Sequence, residues 1–152
     1  MIHKLGLIHR NIKAENILMH SSNGSIKVKI ADFETVQTAP EIILNYQVIT
    51  NKVDMWSYGV VLFQLATHEY PIKAKTNHKF QKKMRHMKSI ERPLEIKDDI
   101  LWDLISKLLE FDPIKRLSAA EALLHPFFTS PQALAEISDA SRIIAANYIP
   151  EY

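Results

Sequence analysis

The chain has 152 residues, 47% apolar and 24% charged, which suffices for one compact domain and falls short of two. The ordinary charged fraction does not make disorder the default reading, and a formal net charge of +2 is too small to indicate nucleic acid by itself. With no cysteine, the sequence excludes disulfides and thiolate metal sites.

Leu7-Ile8, Ile17-Leu18-Met19 and Ile26-Lys27-Val28-Lys29-Ile30 are aliphatic or β-branched runs and predict short strands. The connection His20-Ser21-Ser22-Asn23-Gly24-Ser25 is rich in turn residues and predicts a hairpin between the last two runs. Only Lys27 and Lys29 alternate outward, which predicts a sheet with one wet face.

From Asn51 onward the period becomes helical. Val53 to Thr67 is apolar nearly all round and predicts a helix buried in the core, closed before Pro71. Between Pro71 and Ile90 stand seven Lys/Arg, two His and no acidic residue. A solvated surface helix is the favoured reading there, and a docking face for an acidic partner or nucleic acid over residues 73–88 is the alternative. Asp98 to Glu110 places Ile100, Leu101, Leu104, Ile105, Leu108 and Leu109 on one helical stripe. Ser118 with Glu121 forms a capping-box pattern ahead of Ala119 to Leu124, and His125-Pro126-Phe127-Phe128 reads as the stop. The remainder divides as a C-terminal tail, 131–152, from a domain over 1–130. The seven histidines lack ligand spacing, so no zinc site is expected. No apolar run approaches the roughly 18 residues of a membrane span. Met1 to Leu18 lacks the long apolar core of a secretory leader, so a soluble intracellular, cytoplasmic protein is expected, with no membrane contact and no nucleic-acid partner.

Motifs in one order carry a sharper signal: His9-Arg10-Asn11-Ile12-Lys13-Ala14-Glu15-Asn16, then Asp32-Phe33-Glu34, Ala39-Pro40-Glu41, and Asp54-Met55-Trp56-Ser57-Tyr58-Gly59, followed by Arg116. Together they resemble the protein kinase family: the catalytic loop H-R-D-L-K-x-x-N, the magnesium motif D-F-G, A-P-E, and the D-x-W-S-x-G that opens the central helix. Lys13 followed by Glu15-Asn16 resembles the Ser/Thr branch.

The resemblance covers roughly residues 1 to 130 and implies an α+β, mainly helical fold, that of the kinase C-terminal lobe with a small hairpin region. Nothing in the chain resembles the Gly-rich phosphate loop, the strand Lys or its helix Glu, so the small lobe is expected to be missing. The resemblance also implies ATP and magnesium as cofactors and a protein substrate or partner. Asp32 and Asn16 match the magnesium positions, Lys13 the residue that steadies the transferred phosphoryl group, and Leu18, with Val61 and Leu65, the adenine side of the core. Glu41 and Arg116 match a paired Glu and Arg, while His9, Phe33 and Asp54 match positions that tie the catalytic loop to the central helix.

Three departures bear on activity. Asn11 stands where the family has the Asp that accepts the substrate hydroxyl's proton, and an amide is not a useful proton acceptor near neutral pH. Glu34 replaces the Gly of D-F-G, and only Thr35-Val36-Gln37-Thr38 separate that motif from Ala39 where the family has a long activation segment. The expectation is a partial Ser/Thr protein kinase domain, inactive or severely impaired as written and so pseudokinase-like. The alternatives are a non-catalytic interaction or scaffold module and a fragment of a longer active kinase.

Overall fold

Helices and one hairpin make up the architecture of the computed structural model, which describes residues 2–22, 25–32, 39–139 and 142. Two 3-10 turns, Ile2–Leu5 and Ala14–Asn16, bracket the first loop. Strands β1 (Ile17–Ser22) and β2 (Ser25–Ile30) follow, then helices α1 (Pro40–Ile43), α2 (Lys52–Thr67), α3 (Asn77–His86), α4 (Asp99–Leu108), α5 (Ala119–Leu123), α6 (Pro126–Thr129) and α7 (Pro131–Glu136). This is the expected mainly helical α+β fold.

The centre is α2. Its apolar residues point in every direction, and Val53, Met55, Trp56, Val61 and Phe63 are buried. One side packs with Ile72, Met84, Ile96, Ile105 and Leu109, and another shares a smaller cluster with Leu104, Leu108 and Ala122. Gly59 lets α2 approach α4 closely: a Cβ there would lie 2.9 Å from Leu108 Cβ. The helix ends at His68, whose left-handed backbone (φ 57°) lets its N–H return to the Gln64 carbonyl, so a C-cap closes it ahead of Pro71. Leu65 departs from the expected all-round burial. It is 67% exposed, because no described element lies across that side of the helix.

Helix α4 follows its predicted stripe, with Leu104, Ile105, Leu108 and Leu109 buried, except that Ile100 at its first turn is exposed. Asp98 caps it, its carboxylate accepting from the N–H groups of Ile100 and Leu101. The capping box of α5 is present in full: Ser118 Oγ accepts from Glu121 N, and the Glu121 carboxylate accepts from Ser118 N. Helix α5 stops at Leu124 as expected, and the same segment also starts α6, because His125 Nδ1 accepts from Phe127 N and Pro126 takes the first helical position, where its missing N–H costs nothing.

The hairpin lies in antiparallel register, with Ile17 opposite Ile30, Met19 opposite Val28 and Leu18 opposite Lys29. The wet-face expectation needs correction. Met19 is 75% and Ile26 68% exposed, so the apolar face faces solvent as well as the lysine face. Leu7-Ile8 pairs with no strand among the described residues; Leu7 is exposed and Ile8 packs against the core. Asn23 and Gly24 of the predicted turn, and the tail residues 140–141 and 143–152, lie outside the described residues.

Candidate active site

The loop that carries His9 to Asn16 owes its shape to one buried carboxylate. Asp54, in the first turn of α2, is fully buried, and its Oδ2 accepts from His9 N at 2.8 Å while Oδ1 accepts from Arg10 N at 2.7 Å. Hydrogen bonds to a charged acceptor are among the stronger ones in proteins. They hold Arg10 at φ 65°, a left-handed conformation that costs a side-chain-bearing residue roughly 1–2 kcal/mol. A third donor completes the carboxylate: His3 Nε2 lies 2.8 Å from Asp54 Oδ2. His3 had no signal in the sequence, since its partner stands 51 positions away.

Beyond that anchor the loop turns Asn11 inward. Asn11 is buried, its N–H donates to His9 Nδ1 at 3.3 Å, and its carbonyl accepts from Asn16 Nδ2 at 3.0 Å. Asn16 in turn uses its own carbonyl to accept from Ala31 N at 2.9 Å, which ties the end of β2 to the loop. The next residue, Asp32, is thereby delivered to the site, also in the left-handed region at φ 66°. There Asn11 Nδ2 donates to Asp32 Oδ2 at 3.1 Å. Asn11 Oδ1 is buried and meets no hydrogen-bond donor among the described residues.

Asn11, Asn16 and Asp32 are thus brought into one cluster. Lys13 is half-buried beside it, its carbonyl accepting from Asn16 N at 3.0 Å, and its ammonium has no carboxylate within ion-pair distance among the described residues. Leu18 is 54% exposed, on the hairpin face that also carries His20, Lys27 and Lys29. Phe33, Glu34 and the short segment Thr35–Thr38 lie outside the described residues.

The hydrogen bonds that hold this cluster use Asp32 Oδ2 and Asn16 Nδ2, leaving Asp32 Oδ1 and Asn16 Oδ1 outside them. A carboxylate and an amide carbonyl are hard oxygen donors. They fit a magnesium ion that takes the rest of its coordination from phosphate and water. Among the described residues no group of three or more His, Cys, Asp or Glu side chains forms a self-sufficient metal cage.

A second buried pair fixes the scaffold below. Arg116 NH1 and NH2 donate to Glu41 Oε1 and Oε2 at 2.6 and 2.8 Å, both side chains being essentially inaccessible. Arg116 also donates to the carbonyls of Glu110 and Lys52, and its guanidinium lies 5.1 Å from the centre of the Trp56 ring. Lys52 returns the contact by donating Nζ to the Arg116 carbonyl. The resemblance pointed to Glu41 and Arg116; the contribution of Lys52 had no sequence signal.

Comparison with known proteins places this geometry. The family model described as Protein kinase domain matches residues 35–128. A serine/threonine-protein kinase H1 homolog of Danio rerio is 28% identical over 169 residues, covering 97% of this chain and 40% of the relative. Serine/threonine-protein kinase cds1 of Schizosaccharomyces pombe is 32% identical over 153 residues, 84% of this chain and 32% of its own length. Calcium-dependent protein kinase 11 of Arabidopsis thaliana is 31% identical over 156 residues, 86% of this chain and 30% of its own. The chain therefore spans two-fifths or less of these relatives. The alignment to the fish protein is longer than this chain, so that relative carries residues with no counterpart here. Motif order, the buried Asp54 and Glu41–Arg116 geometry and these matches converge: the chain belongs to the protein kinase domain family.

Proposed function

We propose that this chain carries the phosphate-side half of a Ser/Thr protein kinase site in which proton acceptance has been lost, leaving phosphoryl transfer severely impaired. The observation that carries this reading is the contact between Asn11 and Asp32. A group that accepts a proton from a substrate hydroxyl must present a basic oxygen to it. Asn11 instead aims its NH2 at Asp32, and its one oxygen is buried out of reach of a hydroxyl. Loss of general-base assistance alone lowers a rate by roughly 10²–10⁴-fold.

The remaining side chains suit phosphate handling. Asp32 and Asn16 would hold magnesium through Asp32 Oδ1 and Asn16 Oδ1, the oxygens outside the loop's hydrogen bonds, and Lys13 would place a positive charge beside the transferred group. Magnesium and ATP, when bound, supply charge neutralisation and the phosphoryl group. The chain's own work is to position these ligands, through Asp54 on the loop and Asn16 on the end of β2.

Titration of the chain with magnesium-ATP by calorimetry, paired with phosphate transfer from labelled ATP to a generic Ser/Thr substrate, tests the reading. Weak nucleotide binding and no transfer are expected. Transfer that is abolished by Asp32→Ala would overturn it. Asn11→Asp combined with Glu34→Gly is the variant in which activity, if recoverable, should reappear.

A second reading, a segment that works within a larger kinase assembly, has its own support. The exposed apolar positions Leu18, Met19, Ile26, Val28 and Leu65 are surfaces that a covering element would bury.

A further inference from the structure

We propose that two copies of this chain associate face to face through the apolar side of the β1–β2 hairpin, forming a reversible two-fold dimer. The register sets which residues share that side. Ile17 stands opposite Ile30, Met19 opposite Val28 and Ser21 opposite Ile26, so one face carries five apolar side chains and a single serine. The other face carries Leu18 opposite Lys29 and His20 opposite Lys27. Met19 is 75%, Ile26 68%, Val28 59% and Ile30 40% exposed, and among the described residues no hairpin side chain joins either apolar cluster of the core. A two-stranded hairpin alone is marginally stable in water, so this one gains from any surface that covers its apolar face.

Area and charge select a second copy as the occupant. Met19, Ile26, Val28 and Ile30 together present on the order of 400 Å² of apolar surface, inside the range of about 300–600 Å² at which such patches are often functional. Two copies packed face to face would remove about 800 Å² from water, less than the roughly 1,200 Å² of a standard stable interface. That area makes the dimer a weak and reversible one, dissociated when dilute. The face has no charged side chain, so it is self-complementary, as a two-fold contact requires. An axis through its middle sets Met19 and Val28 against their own counterparts. The opposite face does not serve, because packing it on itself would bring Lys27 and Lys29 of both copies together. In the proposed arrangement those lysines lie on the far side of each sheet, and the Leu18 side stays open.

The inference goes beyond the phosphoryl-transfer reading and does not depend on it, since Asn11, Asn16 and Asp32 take no part in the contact. The test is sedimentation velocity of the full chain from about 5 to 500 μM, the span in which a weak dimer forms. A monomer–dimer equilibrium is expected, strengthened by ammonium sulfate as apolar contacts are. Met19→Lys and Val28→Lys, each at an exposed position, should weaken it at least about tenfold with circular dichroism unchanged, because a two-fold contact meets each new charge twice. Lys27→Ala with Lys29→Ala, on the other face, should not weaken it. The chain has no cysteine, so Met19→Cys supplies a single thiol, which should cross-link copies under mild oxidation much faster than Lys27→Cys does. A monomer at every concentration overturns the proposal and leaves the face to a partner of different sequence. So does a dimer that persists in both lysine variants, or equal cross-linking through the two thiols. Growth beyond the dimer also overturns it, since the face would then be meeting a different surface.

Discussion

The side-chain amide of Asn11 donates to Oδ2 of Asp32 at 3.1 Å, so in the proposed reading the residue that would stand for the base is a hydrogen-bond donor to the one that would hold the metal. An Asp at position 11 would set two carboxylates at that spacing, and like charges so close raise the pKa of one of them. Asn11→Asp is therefore expected to destabilise the metal-free chain by about 1–3 kcal/mol at neutral pH. A carboxyl whose folded pKa is raised carries no penalty at acid pH; the penalty grows as pH rises above the unfolded value, about 4, and levels off above the folded one. Urea unfolding between about pH 3 and 8 should show the deficit opening, and added magnesium should close part of it. A variant as stable as the parent at pH 8 without magnesium would show that the two side chains are not held together in solution.

Asp54 orders the loop more directly, because it satisfies two backbone N–H groups that are otherwise stranded. Asp54→Ala leaves the buried His9 N–H unpaired, at a cost of about 1–3 kcal/mol, and the part-buried Arg10 N–H with it, at a smaller one. Arg10 also loses what holds it at positive φ. The expected outcome is a drop of about 3–5 kcal/mol in unfolding free energy. Hydrogen exchange at the His9 and Arg10 amides should quicken well beyond that of the α4 core. His3→Ala, which removes only the third and partly exposed donor, should cost about 1 kcal/mol.

These two residues also mark how far the sequence could be read. The buried run of α2 and the capping box at Ser118 and Glu121 rest on local spacing, and both appear where the pattern put them. Asp54 is different. A lone carboxylate in an apolar helix is equally compatible with an exposed notch, and only the family resemblance pointed to the loop it holds. His3, Lys52 and the exposure of Leu65 and Met19 left no trace, because each depends on what stands opposite across the fold rather than on neighbours along the chain. In the same way, the start of α6 at His125 was hidden by a Pro that reads as a stop yet sits at a first helical position.

The Glu41–Arg116 pair should prove costly to break and much less costly to replace. Either Glu41→Leu or Arg116→Met leaves one unmatched charge in a site with almost no solvent access, an expected loss of about 3–5 kcal/mol. The double variant removes both charges and should be at least about 2 kcal/mol more stable than the sum of the single losses implies. Chemical denaturation of all four proteins supplies the cycle; additive losses would mean that the pair is not coupled.

Asp103 contributes a small acid-sensitive increment. The Lys107 ammonium, hydrogen-bonded to it at 2.7 Å, and then His125 at 2.8 Å hold its carboxyl below the ordinary aspartate value. A lowered folded pKa gives stability that is present above the unfolded value and fades as pH falls through the folded one. Asp103→Asn should therefore cost about 0.5 kcal/mol at pH 7, small because the carboxylate is half-exposed, and its difference from the parent should fade as pH falls through the folded carboxyl's lowered pKa. Thermal melts across that range check it.

Gly59 lies at a close contact between α2 and α4. In an exposed helix Gly→Ala would gain about 1 kcal/mol from helix propensity. Here the new Cβ would meet Leu108 Cβ at 2.9 Å and Leu109 Cδ2 at 3.0 Å. The second contact can turn away by a side-chain rotation. The first cannot, since a Cβ moves only with its backbone, so α4 must shift away from α2 and loosen Leu104 and Leu108, both fully buried. Overpacking of this kind costs about 1–3 kcal/mol, more than the propensity gain, and the net effect of Gly59→Ala is expected to be destabilising. A raised denaturation midpoint in this variant would show that the two helices have room to separate.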